Sequence, residues 1–143
     1  MSWTISRKYN FSAAHRLEGH PKCGRLHGHN YEVEVLVSVM KLPVEGWIMD
    51  YAQLDALVKP VIEELDHRYI VSDENAAMLC PYVPIAYERG DAARVPIERS
   101  TAELLSEWLR GEVYSALKLM DLTDASVTVQ VRESEKSGAT YRA

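Results

Sequence analysis

The chain has 143 residues, 47% hydrophobic and 26% charged, which suits one soluble globular domain spanning 1–143 with a core of its own. Lys and Arg number 16 against 21 Asp and Glu, a formal charge of −5 with no dense basic cluster, so a nucleic-acid binder resting on phosphate neutralisation is excluded. No apolar run approaches the roughly 18 residues of a membrane span, and MSWTISRKYN lacks the apolar stretch of a secretory signal, so no membrane partner and a cytoplasmic location are expected.

Residues 3 to 15 alternate as a strand does, with Trp3, Ile5, Tyr9, Phe11 and Ala13 on one side and His15 closing the row. Residues 29 to 39 predict a second strand: Tyr31, Val33, Val35, Val37 and Val39 share a face opposite Glu32, Glu34 and Ser38. His27 and His29 have the parity of the valine row if that strand reaches back to them. Leu54, Leu57, Val58, Val61, Ile62 and Leu65 then recur at helical spacing, with Asp50 as N-cap. Pro60 is expected to kink this helix without ending it, because the periodicity continues beyond it.

STAE predicts a second helix start, with Ser100 and Glu103 forming a capping box and Leu105, Trp108, Leu109, Val113, Ala116, Leu117 and Met120 as the apolar stripe. Val127, Val129 and Val131 mark a third strand, and GATYR a short final one. Residues 72 to 97 read as a hairpin or a long loop. The resulting order, β-β-α-α-β-β, is an α+β plan: an antiparallel sheet with both helices on one face. Its two exposed edges favour oligomerisation.

The chemistry concentrates in CGRLHGHN. Two histidines at i and i+2 on a strand point the same way and can meet one ion, and His15 from the adjacent strand offers a third nitrogen. Three histidines with a vacant fourth position describe a catalytic zinc site, whereas ordinary polar residues at a strand end are the bland alternative. Cys23 admits three readings: a fourth ligand, an inert thiol, or a base or nucleophile activated by zinc, Lys22 and Arg25. Cys80, in AAMLCPYV, reads as a buried small side chain. Two cysteines cannot make a disulfide framework, and both are expected as free thiols. Asp66 and His67 are either a hydrogen-bonded relay or a polar helix C-terminus that complements the dipole. Glu133 extends the row of Val127, Val129 and Val131, so it is either frayed into solvent or partly buried and in need of a donor.

Taken in order, FSAAHRL, GHPKCGRLHGHNY, GWIMDYAQL, LDHRY, STAELLSEWL and VRESEKSGATYR resemble the 6-pyruvoyl-tetrahydropterin and 6-carboxy-tetrahydropterin synthase family, over most of the chain except residues 72 to 97. KCGRLHGH, GWIMDY and GATYR look most like its queuosine-pathway carboxy-synthases. The resemblance implies the tunnelling fold, in which trimers close their sheets into a barrel and two trimers stack as a homohexamer with active sites between subunits.

It further implies Zn2+ held by His15, His27 and His29, with Cys23 as the proton-abstracting base. Asp66 and His67 would form a relay lent by a neighbouring subunit. Glu133 would anchor the pterin through its 2-amino and ring N–H groups, and Ser100 and Thr101 would contact it. The implied substrate is 7,8-dihydroneopterin triphosphate, and the implied product of this lyase is 6-carboxy-5,6,7,8-tetrahydropterin, with acetaldehyde and triphosphate leaving. Lys22, Arg25 and Lys136 are candidates to meet the triphosphate. Formation of a pyruvoyl or hydroxymethyl pterin, and a non-catalytic zinc or pterin-binding module, are the alternatives. Two departures stand out: Ile70 and Val71 replace the Leu-Asn pair common after LDH, and residues 72 to 97 are longer than the link in short members.

Overall fold

The computed structural model describes residues 1–78 and 82–143; Cys80 lies outside the described residues. Two long strands, β1 (Trp3–His15) and β2 (His27–Val39), pair antiparallel from Trp3 opposite Val39 to His15 opposite His27. The second strand thus does reach back through both histidines. Helix α1 (Tyr51–Leu65) follows, starting at the predicted cap: the Asp50 carboxylate accepts from Ala52 N–H at 2.7 Å, while Gln53 Oε1 accepts from Asp50 N–H at 3.0 Å. The helix runs through Pro60 and buries Leu54, Val58, Ile62 and Leu65.

Residues 68 to 97 contain more regular structure than their sequence predicts. A short strand β3 (Arg68–Val71) leads into α2 (Asp73–Ala77), α3 (Tyr82–Arg89) and β4 (Ala92–Arg94). The stretch AYERGDA is therefore a helix and its end rather than a hairpin. Gly90, at φ +75°, terminates α3, with Gly90 N–H donating to Tyr87 O and Asp91 N–H to Ala86 O. Helix α4 (Ala102–Lys118) and strands β5 (Ser126–Arg132) and β6 (Gly138–Arg142) complete the chain.

The sheet has six strands in the order β4-β3-β1-β2-β5-β6. Its four sequence-predicted strands are antiparallel as expected, while β3 and β4 extend it in parallel, making it mixed. Helices α1 and α4 cover one face. Val33, Val35, Val37, Val127, Val129 and Val131 from the sheet meet Leu54, Leu65, Leu105 and Leu109 there with essentially no exposure. Each such side chain contributes about 1.5–3 kcal/mol by leaving water. Alternation sends Ile70 into this core and its neighbours Tyr69 and Val71 to the other face, where Val83 and Ala86 of α3 cover them. A parallel strand covered on both sides reads as a continuous apolar run, as Ile70 and Val71 do.

One helix start is corrected. The N-cap of α4 is Thr101, whose hydroxyl accepts from Leu104 N–H at 3.2 Å, so Ser100 and Glu103 do not form the capping box. Ser100 sits one residue earlier, fully buried, with its carbonyl committed to another residue's side chain. On the other side of the core, Asp55 of α1 braces β1. It accepts from Arg7 through two bonds of 3.0 Å and from Tyr9 Oη–H at 2.8 Å.

These features give two expected outcomes. Thr101→Ala should cost about 1 kcal/mol in chemical denaturation, whereas Glu103→Ala should stay within about 0.5 kcal/mol; a larger loss for Glu103 would restore the capping box. The Arg7 and Tyr9 hydrogen bonds hold the Asp55 carboxyl down at about 2, below its ordinary 3.8. A depressed folded-state value adds stability above the unfolded value that disappears as pH falls through the folded one. Asp55→Asn should therefore flatten the loss of stability between pH 4 and pH 2 in urea titrations; an unchanged slope would mean that the brace contributes nothing.

Candidate active site

Directly opposed residues of an antiparallel pair share a face, so the pairings His15 with His27 and Ala13 with His29 put all three imidazoles on the core side. They lie at the open end of the row that begins with the stacked rings of Phe11 and Tyr31. One ligand atom from each of His15, His27 and His29 falls within 4.8 Å of the other two. His15 is 1% exposed and the other two are half-buried.

The ring protons are directed by backbone carbonyls. His15 Nδ1–H donates to Ser100 O at 2.8 Å and His27 Nδ1–H donates to Arg25 O at 2.7 Å. A carbonyl can only accept, so each ring donates from Nδ1 and turns Nε2 away from that carbonyl. His15 Nε2 lies 3.1 Å from His29 Nε2. Burial pushes His15 down to about 4 and also lowers His29, so these rings are neutral bases near pH 7. Converging imidazoles, two of them with outer carbonyls fixing their tautomers, are what a borderline divalent cation such as zinc takes as ligands. The residues present fit the metal that the sequence implies.

Cys23 is not one of the clustered atoms. It sits on a compact loop between the first two strands, half-buried, with its peptide held from both sides. Leu17 N–H donates to Cys23 O at 2.7 Å, and Cys23 N–H donates to His20 Nδ1 at 2.9 Å. Gly24 closes the loop against His20; a Cβ there would stand 2.5 Å from His20 O. His20 is thus a loop-forming residue that motif reading passes over, although its place three residues before Cys23 is the available signal. Lys22, Arg25 and Lys136 are exposed.

Asp66 caps α1 and His67 follows it at φ +59°, a left-handed conformation unusual for histidine. The backbone is held there by His67 N–H donating to Ser12 O at 2.6 Å. The Asp66 carboxylate accepts from Ser12 N–H and from His67 Nδ1–H, each at 2.9 Å. The Ser12 peptide bond is the first cause of its lowered pKa. Asp66 therefore orients an imidazole whose side chain is 81% exposed. His67 lines a cavity of about 500 Å3 together with His29, Arg68 and Asp91. Cys23 is not among that cavity's lining residues. Asp91, brought there by the turn after α3, is a carboxylate that the sequence did not single out.

Glu133 follows the buried row of β5 and is partly buried at 26% side-chain exposure, with Oε1 3.9 Å from His15 Nε2. Beneath it, Tyr31 is fully buried and its hydroxyl has no hydrogen-bond partner among the described residues; burial and the Glu133 charge push it up, so it remains a neutral phenol. Ser100 serves the site through its carbonyl on His15, while its hydroxyl donates to Arg16 O at 3.4 Å. Thr101 is engaged as the α4 cap.

The sequence profile described as 6-pyruvoyl tetrahydropterin synthase matches residues 4–143. The chain belongs to that family. It is 34% identical over 131 residues to a Halobacterium salinarum protein named "Probable 6-carboxy-5,6,7,8-tetrahydropterin synthase", covering 90% of this chain and 79% of that one. It is 32% identical over 125 residues to the 6-carboxy-5,6,7,8-tetrahydropterin synthase of Aquifex aeolicus, covering 76% of each. The Plasmodium falciparum 6-pyruvoyl tetrahydropterin synthase structure superposes with a TM-score of 0.79 at 24% identity, over 99% of this chain and 98% of that chain. That likeness carries the fold.

Membership in this tetrahydropterin synthase family agrees with a three-histidine cluster that could hold a metal ion. Among the described residues, no helix is long and apolar enough to cross a membrane. In metal analysis of purified protein, His29→Ala should lose the bound ion, while Cys23→Ala should keep it, because the thiol stands outside the cluster. Loss of metal from Cys23→Ala would make the thiol a ligand.

Proposed function

We propose that the protein is a zinc-dependent lyase that converts 7,8-dihydroneopterin triphosphate and water to 6-carboxy-5,6,7,8-tetrahydropterin, acetaldehyde and triphosphate. This would place it in the cytoplasm as the 7-deazaguanine (queuosine) branch enzyme. The observation that carries the reading is the trio His15, His27 and His29, two of them with Nδ1 tied to a carbonyl, in a chain matched by the family over residues 4–143. The names of the Halobacterium and Aquifex relatives favour the carboxy product over the pyruvoyl one.

In this reading residues 1–143 act as one catalytic domain, and the roles divide by chemistry. Zinc held by the three imidazoles would supply Lewis acidity to the side-chain hydroxyls of the substrate. Cys23 takes a proton from the side chain, a step that suits a thiolate near neutral pH. His67, oriented by Asp66, is exposed, which suits the second proton carrier of an active site between subunits of a homohexamer, the arrangement the family resemblance implies. Glu133 accepts from the 2-amino and ring N–H groups of the pterin, with Ser100 and Thr101 beside it. Partial burial of that carboxylate near the metal ligands supports this placement, since a bound N–H pair would satisfy it. Lys22, Arg25 and Lys136 supply positive charge for the triphosphate.

Mass spectrometry of the products after incubating zinc-loaded protein with 7,8-dihydroneopterin triphosphate tests the assignment. Carboxytetrahydropterin with acetaldehyde is expected. A pyruvoyl or hydroxymethyl pterin would move the protein to a different branch of the family, and tight binding without triphosphate release would make it a pterin-binding module.

A further inference from the structure

The segment after β3 touches the thiol loop through a set of hydrogen bonds that folding of either part alone does not require. Asn75 of α2 is fully buried, and its two amide ends face different ways. Its Oδ1 accepts from Ser72 N–H at 3.3 Å and from the Ser72 hydroxyl at 3.0 Å, which caps α2 itself. Its Nδ2 reaches across 59 residues to donate to Arg16 O and to Glu18 Oε1, both at 3.3 Å. Next to it, the Glu74 carboxylate accepts from Glu18 N–H at 3.3 Å and pairs with Arg99 at 2.9 Å. Glu18 also closes on Arg16, Oε1 to Nε at 3.0 Å.

These contacts grip Arg16 and Glu18, the residues on either side of Leu17. Leu17 N–H is the donor that holds the Cys23 carbonyl at 2.7 Å, and Leu17 O accepts from His20 N–H at 3.2 Å. His20 in turn accepts from Cys23 N–H. A continuous path therefore runs from the side chains of Asn75 and Glu74, through the two peptide groups that flank Leu17, to both backbone groups of Cys23. A loop held only by its own turns would leave its thiol loosely placed, and misplacement by about 1 Å costs on the order of a hundredfold in rate.

We propose that α2 is a latch for the thiol loop, and that Asn75, seconded by Glu74, is a positioning residue that fixes Cys23 through Leu17. This rests on the reading of Cys23 as the proton-abstracting base. The long segment between β3 and α4 thereby gains a role, since it carries the part that clamps the catalytic loop.

Asn75→Asp is the selective probe, because the carboxylate still accepts from Ser72 and keeps the α2 cap but cannot donate to Arg16 or Glu18. In the zinc-loaded protein, peptide-resolved alkylation of Cys23 by iodoacetamide should change in rate by about threefold or more, as a released thiol loop becomes differently accessible. With 7,8-dihydroneopterin triphosphate, kcat should fall about tenfold or more while KM stays within about twofold, the pattern of a misplaced reacting group. Metal stoichiometry should not change. Adding Glu18→Gln lets the new amide donate to the carboxylate introduced at position 75 and should bring alkylation back towards the wild-type rate, which mere loss of stability would not do. Glu74→Ala, at a helical position that accepts alanine, should shift alkylation in the same direction and carries the test if Asn75→Asp fails to fold. Alkylation and kcat within about twofold of wild type in a folded latch variant would overturn the proposal. Turnover retained by Cys23→Ala would instead overturn the role of the thiol, while the alkylation rates would still decide whether the latch exists.

Discussion

The register of β1 on β2 is the constraint on which the site depends. Pairing His15 with His27 places three imidazoles on one face because side chains alternate with a period of two. A slip of one residue would turn the whole β2 row outward, exposing Tyr31, Val33, Val35 and Val37 and parting His27 and His29 from His15. The same valines that hold the core against α1 and α4 therefore hold the histidines in place. The histidine cluster is a by-product of burying an apolar row, extended by three polar residues at its open end.

What the register begins, backbone carbonyls finish. The His15 ring is tied to the residue before α4, and the His27 ring to the thiol loop. His15 and His27 are thus oriented by different parts of the chain, and the thiol loop is in turn hydrogen-bonded to α2. The acid–base pair Asp66–His67 is built another way, from a left-handed residue docked on the backbone of β1. Rigid strands carry the three histidines, and supported loops and helix ends carry Cys23 and His67, the groups proposed to move protons.

Much of this was legible in the sequence because strand alternation is a local signal. The parity of His15, His27 and His29 and the row ending in Glu133 follow from it, and the cap at Asp50 follows from the helical spacing after it. The start of α4 was displaced by one residue because Ser100 and Thr101 are both good caps; the choice is made by tertiary contacts, since the Ser100 carbonyl faces His15 and Thr101 is left to cap. Residues 72 to 97 were opaque for a different reason. Tyr69, Ile70 and Val71 bury in alternate directions against two separate clusters, and the helices that follow are too short for a periodic stripe. Gly90 was the one local clue, as a glycine fit for a left-handed helix end. Spacing could not decide between ligand and base for Cys23, because a loop's path sets where its thiol lies. The clamp from Asn75 joins residues too far apart in sequence for any motif to link them.

The carbonyl contact from Ser100 to His15 joins the histidine cluster to the residue before the α4 cap. The three histidines come from β1 and β2, and the carbonyl that orients His15 comes from 85 positions further on. An unfolded chain cannot assemble that set, so an ion binding there favours the native state by RT ln(1 + [ion]/Kd), about 2.7 kcal/mol at a hundredfold excess over Kd. With the proposed zinc held by this trio, trace-metal supply would set how long each copy survives heat and proteolysis. Copies made in zinc-poor medium would be the shorter-lived ones.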